Sequence, residues 1–85
     1  MVLSYRLKGK DVQVIKAHFD DQRVDHKIKN IGINPGTLIK VLDYDKNNTI
    51  LHLLIYGVEY VLREKDCRQI HVREYQDTKQ FQSRK

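Results

Sequence analysis

Four histidines, one cysteine and eleven carboxylates are the side chains from which this 85-residue sequence could build a reactive or metal-binding centre. His18, His26, His52 and His71 are spaced so that no two form a histidine pair on one helix face. Cys67 has no second cysteine at zinc-type or cluster-type spacing. A donor set assembled across strands from His52, His71 and Glu59 or Asp66 is conceivable, but lone histidines near a sheet usually lie at the surface or in hydrogen bonds. The expectation is therefore no metal site. Asp21 and Asp25 stand one helical turn apart with Lys29 four residues further on, which reads as a charge ladder.

Nucleophilic chemistry finds little more. Ser4 and Ser83 lie in the polar ends. Cys67 sits between Asp66 and Arg68, with His71 four residues on. Arg68 and His71 could lower that thiol. The simpler reading is a small half-buried thiol ahead of the last strand. Gly32 and Gly36 do not form a Gly-rich loop ending in Lys-Ser/Thr, so no phosphate-binding loop is present. The sequence reads as a non-enzyme with no cofactor.

Charge and aromatic residues bear on nucleic acid. The formal net charge of +5 comes from the ends: residues 1–10 carry Arg6, Lys8 and Lys10 and no acid, whereas residues 11–72 balance. A nucleic-acid groove usually shows its charge on the body of the fold. Tyr44, Tyr56 and Tyr60 could stack bases, but Asp43, Asp45 and Glu59 beside them would repel a phosphate backbone. Core or rim packing suits these rings better.

The elements that hold these residues fit one small domain. Residues 1–10 read as a polar lead-in. Asp11 to Ala17 reads as a first strand whose phase shifts at Ile15, a possible bulge. Asp20 or Asp21 caps a helix over residues 21–31, and an Asp20 cap would let Phe19 staple Val24. Gly32 follows the apolar series Val24, Ile28 and Ile31, where a helix ends on a left-handed residue and Ile33 folds back onto Ile28. Asn34-Pro35-Gly36-Thr37 reads as a type II turn.

A second strand follows over Thr37 to Leu42, then a turn at Asp45-Lys46-Asn47-Asn48. A third strand, Thr49 to Ile55, carries aliphatics on both faces. Tyr56-Gly57 breaks it before a fourth strand, Val58 to Arg63. Glu64 to Cys67 suits one tight helical turn, and Gln69 to Arg73 a fifth strand. Residues 74–85 read as a disordered polar tail. Five short antiparallel strands in so short a chain point to a small, partly open barrel with the helix between the first two strands, a mainly β (α+β) class.

The third strand has more aliphatic side chains than one core can use. One of its faces (Leu51, Leu53), or the loops at Ile33, Pro35 and Tyr56, is expected to leave an apolar patch for a partner. No run approaches the ~20 apolar residues of a membrane span, and no secretory signal is evident. A single cysteine suits a reducing compartment, so a cytoplasmic location is expected.

Lys27-Ile28-Lys29-Asn30-Ile31-Gly32-Ile33-Asn34-Pro35-Gly36-Thr37 resembles the "R-L-x-x-L-G-I-x-P-G-T" segment of FeoA domains. Gly57 to Arg63 is similar to that family's "G-x-x-x-A-L-R", and Asp66 to Val72 to its closing "x-A-x-x-I-x-V". Val61 and Cys67 stand where the family usually has Ala. The resemblance makes Gly32, Pro35, Gly36, Thr37 and Gly57 the shared turn positions. It implies an SH3-like five-stranded antiparallel barrel over residues 11–73 with a helical insertion. It also implies an accessory role, docking on the membrane ferrous-iron transporter FeoB, whose own domain hydrolyses GTP, and modulating Fe(II) uptake. Weak transition-metal binding is implied only loosely. Two alternatives are a nucleic-acid-binding small barrel and a metal-responsive domain related to the one that closes iron-dependent repressors. In those repressors it follows a helix-turn-helix that these residues do not show.

Overall fold

The computed structural model describes residues 1–76. Its strands are β1 (Asp11–Ala17), β2 (Leu38–Asp45), β3 (Ile50–Ile55), β4 (Val58–Arg63) and β5 (Ile70–Glu74). A helix, α1 (Gln22–Asn30), links β1 to β2, and a single turn, α2 (Glu64–Cys67), links β4 to β5. All strand pairs are antiparallel, in the order β4-β3-β2-β1-β5.

The sheet is not closed into the expected barrel, because β4 and β5 remain at opposite ends of the strand order. The far side of β5 is instead taken by the first residues of the chain. Val2 bridges His71, Leu3 N–H donates to the Ile70 carbonyl at 2.9 Å, and Val72 N–H donates to the Met1 carbonyl at 2.9 Å. Residues 1–10 are thus more than a polar lead-in. Leu3 is fully buried, and a 3-10 turn over Tyr5–Leu7 buries Leu7. At the other end, Glu74 belongs to β5 and Tyr75 N–H donates to the Asp11 carbonyl, so these two residues of the expected tail are ordered; residues 77–85 lie outside the described part.

The helix forms as its caps dictate. Asp21, not Asp20, is the N-cap, its carboxylate accepting from Arg23 N–H at 2.9 Å. This register loses the Phe19–Val24 staple spacing, although Phe19 is buried and Val24 packs against the core. Lys29 Nζ meets Asp25 Oδ1 at 2.7 Å, the charge ladder of the solvent face. The Arg23 amide holds Asp21, and Lys29 holds Asp25, below the ordinary carboxylate range. At the C-terminus Gly32 N–H donates to Lys29 C=O and Ile33 N–H to Ile28 C=O, the paired bonds of a Schellman cap.

One core runs through the sheet. Val12, Val14, Ile39, Val41, Leu51, Leu53, Ile55, Leu62, Ile70 and Val72 supply it from the strands, and Ile28 and Ile33 cover it from the helix side. Two register shifts bend the sheet, at Val14/Lys16 and Val41/Asp43. The first turns Ile15 outward. The second lets β2 run on to Asp45, beyond the expected end at Leu42.

Candidate interaction surface

The helix-to-strand junction is knitted by Thr37. This buried residue donates its hydroxyl to the Gly32 carbonyl at 2.7 Å and accepts from Asn34 N–H at 3.1 Å. Its own N–H donates to the Asn34 carbonyl across the Pro35-Gly36 turn, and Gly36 has the φ of +95° that a type II turn requires. Gly36 N–H and Thr37 C=O then lock onto Val14. The junction is therefore rigid, with Pro35 held out at its tip.

The β3–β4 hairpin brings a second turn to the same place. Ile55 pairs with Val58, so Tyr56-Gly57 is a two-residue loop, and both residues have positive φ (+52° and +79°). This is the mirror-image turn that matches strand twist, in which Asn-Gly is the usual pair. A tyrosine there carries backbone strain. Its ring lies over Gly32, whose Cβ, if it had one, would sit 3.2 Å from Tyr56 Cε2. Gly32 is thus required twice, by its φ of +97° and by the ring above it. Tyr56 nonetheless keeps 76% of its surface exposed.

These contacts sort the expected partner residues. Tyr56 and Pro35 are on the surface, and Tyr56 on Gly32 ties the two turns together. Ile33, Leu51 and Leu53 are each 0% exposed and have no surface to offer. Leu51 and Leu53 therefore form no patch, since with Ile55 they fill the core, while Ile50 and Leu54 on the other face of β3 are half-buried. The exposed aliphatics lie elsewhere, at Ile15, Leu38, Val58 and Val61. Ile15 was signalled by the phase shift in β1. Val58 and Val61 carry no such signal, since only topology makes β4 an edge.

The chemistry-bearing side chains are dispersed. His52 Nδ1 lies 3.3 Å from Glu59 Oε2, whereas Asp66 pairs with Arg63 at 3.4 Å and His71 lies on β5, opposite Lys16 of β1. Among the described residues, no three His, Cys, Asp or Glu side chains are grouped to hold a metal ion. Cys67 is fully buried, not half-buried, and burial together with the Asp66 and Glu64 carboxylates pushes its thiol up to about 12. That is the reverse of activation by Arg68 and His71, and Arg68 is instead directed to Glu64. Tyr44 stacks on Tyr5 at 5.1 Å and donates its hydroxyl to Glu64 at 3.0 Å, a packing role. Among the described residues no helix is long and apolar enough to cross a membrane.

The same fold occurs in known structures. The FeoA protein from Chlorobium tepidum superposes with a TM-score of 0.79 at 20% identity, covering 89% of this chain and 71% of that one. An iron uptake regulatory protein, also FeoA, gives 0.76 at 20% identity, with 88% of this chain and 97% of that one covered. A manganese-dependent transcriptional repressor gives 0.78 at 18% identity, but its match takes in 87% of this chain and only 40% of the repressor. At such identities these likenesses concern the fold. No curated protein matches the sequence. The FeoA domain model, however, matches residues 1–74 of the 85, taking in the first residues that complete β5, and the chain therefore belongs to the FeoA domain family.

Proposed function

We propose that this chain is a cytoplasmic, non-enzymatic accessory protein of ferrous-iron uptake that docks on the cytosolic GTPase region of an FeoB-like membrane transporter and biases its conformation. The family match over residues 1–74 carries this reading. The docking residue is Tyr56, presented on a strained turn and steadied by Gly32. An exposed aromatic on a preorganised turn loses little entropy on binding, which is what an interface anchor needs. Docking shifts the transporter only if its conformations differ in affinity for this surface, so nucleotide state must change the binding constant.

Calorimetry of the purified chain with the transporter's soluble domain, without nucleotide, with GDP and with a GTP analogue, tests this. Binding in at least one state is expected, weakened at least about tenfold by Tyr56→Gly. That substitution removes the ring and relieves the positive φ, so the fold is retained. No association in any state would sink the proposal. Titration with ferrous and zinc ions checks the expectation of no cofactor. Micromolar binding abolished by His52→Ala or His71→Ala would replace it with a metal-responsive role.

A further inference from the structure

β4 ends the sheet, so among the described residues one side of its backbone has no neighbouring strand. Which groups face outward follows from the hairpin. A two-residue loop makes Ile55 and Val58 a hydrogen-bonded pair, and the alternation continues through Tyr60, Leu62 and Glu64, whose N–H reaches the Thr49 carbonyl at 2.8 Å. The N–H groups of Glu59, Val61 and Arg63 therefore point away from β3. The side chains of the same three residues are exposed and share the outer face of the sheet. Along this edge they read acid, apolar, base.

That order is its own complement when reversed. We propose that β4 pairs antiparallel with β4 of a second copy about a two-fold axis at Val61, joining two five-stranded sheets into one. Val61 exchanges N–H and C=O with its symmetry mate, and the two valine side chains, each 50% exposed, cover one another. Glu59 of each copy falls opposite Arg63 of the other, where the Arg63 N–H donates to the Glu59 carbonyl and the side chains pair. Glu59 can leave His52, and the 61% exposed Arg63 can reach across to Glu59 of the mate while it still neutralises the buried Asp66. A single strand pair buries less than the area of a stable interface, so the dimer forms only at high micromolar concentration or above.

Sedimentation equilibrium of the full chain from about 10 µM to about 1 mM tests the pairing. The expected mass rises from one chain toward two. Glu59→Arg, which sets like charges opposite each other at both ends, should weaken association at least about tenfold. Adding Arg63→Glu should restore it to within about threefold, and Val61→Lys should abolish it. All three substitutions are on exposed side chains, and circular dichroism verifies that each variant is folded. A single-chain mass at every concentration would overturn the proposal. So would a dimer indifferent to Glu59→Arg and Val61→Lys, or a loss in Glu59→Arg that the charge reversal fails to rescue.

Discussion

At the β5 side of the sheet, Met1 and Leu3 hydrogen-bond to the last strand and Leu3 is sealed in the core; at the β4 side, Glu59, Val61 and Arg63 are exposed, with no strand beyond them among the described residues. A short sheet that does not close must finish both margins, since unpaired edge groups invite other chains. Here one margin is finished by apolar burial from a distant part of the chain, whereas the other keeps its outward backbone groups free of a strand among the described residues. The first treatment ties β5 and the amino terminus to the core through Leu3. The second leaves β4 supported on one side only, anchored by its hairpin and by Tyr56 on Gly32.

The largest effect should come from breaking the buried margin. Leu3→Ala is expected to cost about 2–5 kcal/mol in urea unfolding, as for other core leucines, whereas Val61→Ala at the open margin should stay within about 0.5 kcal/mol. Equal costs would mean that the two sides are not finished differently. The anchor of the β4 hairpin comes next. Gly32→Ala should cost about 1–3 kcal/mol through its left-handed backbone and the crowding of Tyr56. Part of that cost should vanish in a Tyr56→Gly background, a coupling that a double-mutant cycle measures. If the costs simply add, the ring does not anchor the strand.

The effect confined to high pH, and nil near neutrality, concerns α2, the turn that joins the two margins. Cys67 is raised from 9.0 to about 12 in the folded chain, so its contribution is intact below pH 9. As pH rises above 9 the unfolded thiol ionises first, and stability should fall by up to about 1.4 kcal/mol per pH unit until the folded thiol also titrates. Unfolding free energies measured between pH 8 and about 11 should decline less steeply for Cys67→Ala. Parallel declines would place the titrating group elsewhere.

Much of the junction was legible because its chemistry is local. Gly32 after an apolar helical series, Pro35 before Gly36, and the short run Glu64 to Cys67 each specify a backbone shape without reference to the rest of the chain. Thr37 ends a recognisable turn, but nothing in its neighbours names the two hydrogen bonds its hydroxyl makes. What failed was non-local. Arg6, Lys8 and Lys10 gave the first residues a polar average that concealed Leu3 and Leu7, and nothing near them names β5 as their destination. The barrel was inferred from strand count, whereas closure depends on which edge the amino terminus occupies. Aliphatics on both faces of β3 gave no means of telling the buried set, Leu51, Leu53 and Ile55, from the half-buried Ile50 and Leu54. The meeting of Tyr56 with Gly32 lies beyond any pattern in sequence, since it depends on how the hairpin folds over the helix end.

The lone thiol has a practical consequence. With Cys67 wholly enclosed and its ionisation suppressed, an alkylating reagent can modify the chain only after α2 and the strands around it have come apart. Labelling rates in plain buffer thus count spontaneous openings around α2, and give that opening equilibrium without denaturant, dye or an introduced probe.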